Sequence, residues 1–221
     1  MSEMLYQTYR PRQFSEFVGH EAAVRAVMGL RERGLGGRAF WISGPSGVGK
    51  TTLAYLLAAE VADPINLDEI DAGQCMPRDV DEIERRLQFR ALGRKSGRAV
   101  LVNESHGLRQ DSIRKLLVVL ERIPRHVTWV FTTTDIGNRR LFREDSHPLL
   151  SRCLQIELTV DGFQQAMIDR AMEIAEREGL GGAPREAYCE LATRCQFNFR
   201  EMLNQIELGS VSNNGVSAVM A

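Results

Sequence analysis

The chain has 221 residues and a formal net charge of −1 at pH 7, with 43% hydrophobic and 26% charged residues. This composition is that of a globular protein with room for one large and one small domain, and it excludes a membrane span and a global electrostatic attraction to nucleic acid. The four cysteines form no CxxC pair and the N-terminus lacks a secretory pattern, which indicates reduced thiols, no zinc site and a cytoplasmic location.

Short apolar runs alternate with helical patterns along the first 160 residues. The predicted strands are Ala39–Ile42, Ile65–Ile70, Ala99–Val102, Thr128–Thr132 and Leu154–Leu158. Helices are predicted at about 20–33, 50–61, 79–93, 109–122, 161–178, 185–195 and 199–208. This alternation predicts an α/β fold in which helices flank a parallel five-stranded sheet.

The pattern changes after residue 160, where strand signals disappear. Apolar residues at helical spacing, such as Phe163, Met167 and Ala171, continue into the last third of the chain. We therefore predict an α/β core over residues 1–160 and a small helical lid over residues 161–221.

A glycine-rich segment between the first predicted strand and the next helix carries the strongest functional signal. Such a loop curls its backbone N–H groups around a polyphosphate, and the helix dipole adds to the attraction. Lys50 is predicted to reach the β- and γ-phosphates, and Thr51 to ligate Mg²⁺. ATP and Mg²⁺ are the predicted cofactors, and the alternative is an ordinary glycine-rich turn. The predicted nucleotide-binding residues here are Gly44, Pro45, Ser46, Gly47, Val48, Gly49, Lys50, Thr51 and Thr52.

Polar residues follow the predicted strand Ala99–Val102, at the edge where open α/β sheets bind ligands. Glu104 is predicted to orient and activate the attacking water. Asn103 stands where a phosphate-loop ATPase usually has Asp, and its neutral oxygen is predicted to hold Mg²⁺ weakly, through water. The alternative is a solvated strand end.

Other candidates follow later in the chain. Thr133 and Thr134 end the next strand, where a hydroxyl can bond to the γ-phosphate, although a turn that ends a strand is the alternative. Arg152 and Arg200, considered one at a time, are typical surface charges.

Taken together, these segments resemble AAA+ ATPases of the clamp-loader group, such as the bacterial tau/gamma ATPase and the small subunits of replication factor C. The similarity extends over residues 5–220. Its motifs are Tyr9–Phe14 with Phe17–Glu21, the phosphate loop, Asn103–His106, Thr132–Asp135, Leu150–Gln155 and Phe199–Leu203.

The resemblance implies roles for these residues. Arg152 would be an arginine finger acting on ATP in the neighbouring subunit, so the active species would be a ring or spiral of this or related subunits. Arg200 would contact the γ-phosphate from the lid, and Thr134, with Thr133 second, would be the first sensor. The adenine pocket would be bounded by Tyr9, Pro11 and Val18.

The resemblance also implies a function, which is ATP hydrolysis that loads a sliding clamp onto primer–template DNA. Three departures from the family pattern matter. Asn103 replaces the metal-holding Asp, the zinc insertion of the tau/gamma type is absent, and we expect no collar domain after the lid. Two alternatives therefore stay open: a slow or non-hydrolysing nucleotide-binding module, and a helicase-loader or branch-migration protein.

DNA contact rests on position and charge. Arg78, Arg109 and Arg114 fall near predicted helix starts, where clamp loaders track duplex phosphates. Further basic residues occur on the predicted helical stretch 79–98, but acids at its start favour a solvated face there. This second set comprises Arg85, Arg86, Arg90, Arg94, Lys95 and Arg98.

Overall fold

The computed structural model describes residues 3–134 and 147–211. Its strands form one parallel five-stranded sheet in the order β2-β3-β4-β1-β5, which confirms the predicted fold class. The strand bounds are β1 Arg38–Ser43, β2 Ala62–Asp71, β3 Gly97–Asn103, β4 Val127–Thr133 and β5 Leu154–Glu157.

The helices agree with the predicted ones except at a few ends. Their bounds are α1 Leu5–Thr8, α2 Glu21–Arg31, α3 Lys50–Val61, α4 Pro77–Leu87, α5 Gln110–Leu120, α6 His147–Leu150, α7 Phe163–Arg177, α8 Arg185–Arg194 and α9 Phe199–Glu207. The prediction of a helix over 79–93 was wrong in its second half, because α4 ends at Leu87. The short helices α1 and α6 were not predicted.

Strand β2 is longer than predicted and lies at one edge of the sheet. It contains Pro64, which an edge strand tolerates because one side of its backbone needs no partner. Its pairing with β3 shifts register between Ala62 and Leu67. Because of the proline and the register shift, the first three residues of β2 lack the alternating or apolar pattern of a strand, so the sequence did not predict them.

The chain divides into two compact units. The sheet unit comprises Ala22–Gly44 and Gly49–Leu158. The helical unit comprises Met1–Glu21, Pro45–Val48 and Thr159–Ala221, as far as these lie within the described residues. The predicted domain boundary at residue 160 remains a prediction, and residues 212–221 of the predicted lid lie outside the described part.

The central strands of the sheet unit are buried on both faces. Trp41, Val100 and Trp129 point to one face, where residues of α4 and α5 cover them. On the other face α3 contacts β3 and β4, and its Ala58 packs against Ala99. Burial on both faces explains why these strands read as continuous apolar runs.

The helical unit has a core of its own. The predicted apolar stripe of α7 is buried, with Met167 and Ala171 fully inaccessible, and Met202 of α9 is buried as well. Two residues before α9, Gln196 and Phe197, have positive φ angles of 51° and 57°. Residues with a side chain adopt this conformation at a cost of about 1–3 kcal/mol, so the surrounding packing must hold the turn.

We expect Leu101→Ala to lower the free energy of unfolding by about 2–5 kcal/mol, because Leu101 in β3 is fully buried and its loss leaves a cavity. Chemical denaturation monitored by circular dichroism measures the change. Val118→Ala is the control, since Val118 is 58% exposed, and it should change the stability by no more than about 0.5 kcal/mol. A similar effect of both substitutions would contradict the assigned core.

Candidate nucleotide site

The segment after β1 has the backbone of an anion-binding loop. Gly47 and Gly49 have φ angles of 78° and 102°, values that residues with a Cβ rarely adopt. Helix α3 begins at Lys50, and Gly49 before it supplies no side-chain cap. The N-terminal end of a helix dipole favours negative charge.

The tip of this loop is held by two side chains of the helical unit. The imidazole Nε2 of His20 lies 3.0 Å from the carbonyl oxygen of Val48. The amide Nδ2 of Asn198 donates to the Ser46 hydroxyl at 3.4 Å. A Cβ on Gly47 would lie 1.9 Å from Oδ1 of Asn198, so only glycine fits. Sequence reasoning gave neither His20 nor Asn198 a role, although both lie inside the quoted motifs or beside them.

His20 is neutral in this setting. Burial lowers the pKa of His20, and a neutral ring can donate its Nε2 hydrogen to the Val48 carbonyl, which only accepts. The ring stacks between Phe17 and Phe163, with centroid distances of 5.4 and 4.8 Å. The loop tip is thus tied to an aromatic cluster that a proton would disturb.

In the sheet unit, the ends of β3 and β4 bring predicted residues together. The hydroxyl of Thr134 donates to a carboxylate oxygen of Glu104 at 3.3 Å. His106 lies beside both strands' ends, with Nδ1 3.4 Å from Glu104 and 3.3 Å from the Thr133 hydroxyl. Glu104 has a positive φ of 50°, a strained conformation for a residue with a side chain. Strain of this kind persists where packing fixes the direction of a side chain.

Asn103 is part of a separate set of hydrogen bonds. Its Nδ2 donates to Glu69 at 2.6 Å, and its Oδ1 accepts from the Thr132 hydroxyl at 3.2 Å. Tyr55 donates its hydroxyl to the other oxygen of Glu69 at 2.5 Å. Sequence reasoning missed Glu69, and its place at the end of the strand beside β3 was the signal that could have found it.

Arg152 is held within its own chain. One guanidinium nitrogen donates to the Pro148 carbonyl at 2.8 Å, and another contacts Glu121 at 2.5 Å. The hydrogen bond from Arg152 lowers the pKa of Glu121. The arginine therefore has a defined position near the end of α5.

The predicted adenine and lid residues lie in the helical unit. Tyr9 donates its hydroxyl to Glu178 at 2.6 Å, and this bond raises the pKa of Tyr9. Pro11 is partly buried, whereas Val18 is exposed. The guanidinium of Arg200 lies 5.5 Å from the centroid of the Tyr6 ring. The roles of Tyr9, Pro11, Val18 and Arg200 in nucleotide binding stay predictions.

The three arginines predicted to meet DNA all lie in the sheet unit. Arg78 is in the first turn of α4, Arg109 directly precedes α5, and Arg114 is within α5. The sequence analysis predicted that six further basic residues lie on one helical stretch over 79–98. This prediction was wrong for four of them, because α4 ends at Leu87. Those beyond the end of α4 are Arg90, Arg94, Lys95 and Arg98.

The donor set suits Mg²⁺ bound mainly by phosphate. Within the described ranges, no group of three or more His, Cys, Asp or Glu side chains could hold a metal ion by itself. The Thr51 hydroxyl and the Asn103 amide oxygen are hard oxygen donors, which Mg²⁺ accepts beside phosphates and waters.

Within residues 3–134 and 147–211, no helix combines the length and the apolar composition that a membrane span requires.

Comparison with known proteins identifies the family of this chain. Residues 40–157, more than half of the chain, match the family described as ATPase family associated with various cellular activities (AAA). The chain therefore belongs to the AAA family of ATPases. Its sequence is related to subunits of DNA polymerase III, which confirms the predicted resemblance to the clamp-loader group.

Two of these relatives are DNA polymerase III subunit tau from Escherichia coli and subunit gamma from Buchnera aphidicola. The chain is 29% identical to the first, with 99% of the chain and 37% of that protein covered. It is 25% identical to the second, with 93% of the chain and 60% of that protein covered. The chain thus spans only part of the length of either relative.

Solved structures show the same fold. The Thermotoga maritima RuvB Holliday junction branch migration motor superposes with a TM-score of 0.68 at 22% identity, covering 94% of this chain and 70% of that one. A DNA polymerase III gamma subunit-related protein from Thermotoga maritima gives a TM-score of 0.56 at 16% identity, covering 84% of this chain and 58% of that one.

We expect the free energy of unfolding to fall between about pH 7.5 and about pH 5.5, because unfolded His20 takes up a proton near its usual pKa of about 6.5. Burial lowers the pKa of folded His20, so its contribution is full above that value and is lost as the pH falls towards the folded pKa. Chemical denaturation of the wild type and of His20→Gln at both pH values measures the loss of free energy of unfolding. Glutamine can still donate to Val48 but does not titrate, so the variant should lose less stability. An equal loss would contradict the assignment.

Proposed function

We propose that this chain is a clamp-loader-like ATPase, which binds and hydrolyses ATP as an oligomer and acts on DNA in replication by loading a sliding clamp. The observation that carries the proposal is the position of Glu104. Its strained backbone, its hydrogen bond from Thr134 and its contact with His106 direct a carboxylate at the end of β3. A glycine-rich loop follows β1 of the same sheet and would supply the phosphate cradle.

The chemistry divides among the residues of the site. The loop amides and the Lys50 ammonium bind the β- and γ-phosphates. Thr51 and Asn103 would hold Mg²⁺, which neutralises phosphate charge when bound. Glu104 accepts a proton from the attacking water. At the same time the oxygen of that water bonds to the γ-phosphorus, and the bond from the γ-phosphorus to the oxygen that bridges the β- and γ-phosphates breaks. The hydroxyls of Thr134 and Thr133 orient Glu104 and the γ-phosphate.

An oligomer is proposed because the charge of Arg152 is needed at a γ-phosphate. In its own chain the guanidinium is bound by Glu121 and the Pro148 carbonyl. A triphosphate of the neighbouring subunit carries more negative charge than Glu121 and can draw the guanidinium away. A cation placed at the γ-phosphate stabilises the charge of the transition state.

The helical unit is proposed to sense the nucleotide. Tyr9, Pro11 and Val18 would surround adenine, and Arg200 would move from Tyr6 to the γ-phosphate. A cation–π contact at an exposed site is worth about 0.5–1 kcal/mol, so a phosphate can compete with it.

The DNA surface is proposed at the N-termini of α4 and α5. The buried Ser112 hydroxyl donates to the Cys75 carbonyl at 2.7 Å, which joins the first turn of α5 to the residues just before α4. Two positive helix ends and Arg78, Arg109 and Arg114 are thereby brought to one part of the sheet unit. Helix N-termini and arginines bind DNA phosphates without reading sequence.

The sliding clamp is the protein partner that the resemblance implies. The loop after α4 offers exposed apolar side chains for it, with Phe89 72% and Leu92 95% exposed. The neighbouring Arg90 and Arg94 would favour an acidic partner at this loop.

A second candidate is a slow or non-hydrolysing nucleotide-binding module, and Asn103 favours it because a neutral amide holds Mg²⁺ less firmly than a carboxylate. Single-turnover ATP hydrolysis separates the two candidates. A helicase-loader or branch-migration activity is a third candidate, which stimulation by a branched junction rather than by primed DNA would support.

We expect Arg152→Ala to lower ATP turnover by about three orders of magnitude while ATP affinity changes little, because an arginine finger acts in the transition state. Lys50→Ala should lose ATP binding. Mixing the two variants should restore part of the activity, since one supplies the finger and the other the nucleotide. Arg122→Ala is the control, because Arg122 is exposed beside Glu121. Turnover by Arg152→Ala at the wild-type rate would contradict the proposal.

We expect the combined variant R78A/R109A/R114A to bind primed DNA more weakly and with less dependence on salt. Each lost phosphate contact should reduce the slope of log affinity against log salt by about 1. Fluorescence anisotropy over a salt series measures the slope. The control R25A/R33A/R194A removes three exposed arginines elsewhere and should keep the wild-type slope; an equal reduction by the control would refute the surface.

A further inference from the structure

Glu69 and Asn103 point to the same face of the sheet. Asn103 is paired with Asp71, and Glu69 lies two residues before Asp71, so all three side chains share one face. Nδ2 of Asn103 donates to Glu69 at 2.6 Å. A carboxylate only accepts hydrogen bonds, so the amide nitrogen must face Glu69 and the amide oxygen must face away. That oxygen accepts from Thr132 on β4.

Glu69 also reaches the helix that begins at the phosphate loop. Its second oxygen accepts from the Tyr55 hydroxyl at 2.5 Å. Tyr55 lies four residues after Thr51 in α3, so both occupy the same side of that helix. One carboxylate therefore links the helix of Thr51 to the strand of Asn103.

Other carboxylates nearby are engaged elsewhere. Asp71, which is opposite Asn103, accepts from the Gly73 amide at 2.9 Å. Glu104 accepts a hydrogen bond from Thr134 and contacts His106. Glu69 is thus the carboxylate that the described contacts place against the Asn103 amide.

We propose that Glu69 is a positioning residue of the nucleotide site: it fixes the Asn103 amide with its oxygen towards the metal side, so that Glu69 and Asn103 together replace a single aspartate. This inference rests on the proposed function, because it assumes that Mg²⁺ and ATP bind here. It has a consequence for Asn103→Asp. The introduced carboxylate has no hydrogen to donate to Glu69, so two anionic acceptors would face each other at 2.6 Å.

The experiment measures the affinity for a fluorescent ATP analogue during a Mg²⁺ titration, and again with the metal chelated. Glu69→Ala and Asn103→Asp should each raise the Mg²⁺ concentration at half-saturation about 10- to 100-fold, the usual effect of losing a group that orients a metal ligand. The double variant E69Q/N103D should return to within a few-fold of wild type, because the glutamine amide can donate to the introduced carboxylate. Glu82→Gln removes an exposed charge from α4 and should have no effect.

Affinity with the metal chelated is the readout for folding, and it should be equal in all variants. Glu69→Val replaces Glu69→Ala if the alanine variant is unstable, because valine also lacks an acceptor for the Asn103 amide and suits a strand. The inference is overturned if Glu69→Ala leaves the Mg²⁺ concentration at half-saturation unchanged, as Glu82→Gln should. It is also overturned if Asn103→Asp lowers that concentration while Glu69 is still present. Those results would leave the proposed ATPase function standing. Absence of nucleotide binding by the wild type would instead overturn both.

Discussion

The parallel register of β3, β4 and β1 is the constraint on which the site depends. Hydrogen bonds pair Ser43 with Thr133 and Val102 with Phe131, so the three strands end at one edge of the sheet. The ends of β3 and β4 are joined by hydrogen bonds from Thr132 to Asn103 and from Thr134 to Glu104. Because these strands are buried on both faces, a shift of one residue would turn apolar side chains out of two cores.

The phosphate loop depends on a second constraint, which lies in the helical unit. Asn198 caps α9 by accepting from the Glu201 amide at 3.2 Å, while its amide nitrogen bonds to Ser46. The same side chain therefore touches the loop tip and the first turn of the helix that carries Arg200. His20 holds the next part of the loop through Val48. If a phosphate displaced the loop tip, Asn198 alone could transmit that movement to the first turn of α9.

Two helices show which bounds the local sequence pattern predicts and which it does not. The bounds predicted for α3 agree with the structure because one apolar pattern and one glycine-rich start define it. The predicted helix 79–93 failed beyond Leu87, where Asp63 of β2 accepts from the Lys95 amide at 3.0 Å and draws the chain back to the sheet edge. Gly93 passes so close to Asp63 that a Cβ would collide with it. Long-range contacts of this kind leave no periodic signal in the sequence.

The order of strands and helices, the phosphate loop, and the residues at the strand ends could all be read from the amino-acid sequence. Each rests on neighbours in the chain, since hydrophobic period, glycine φ freedom and helix starts are local properties. The partners of Asn103, Arg152 and the loop tip could not be read in this way. Glu69, Glu121 and Asn198 lie between 31 and 152 residues from the groups they bind. Strand order, register and helix packing alone bring such distant groups within hydrogen-bonding distance.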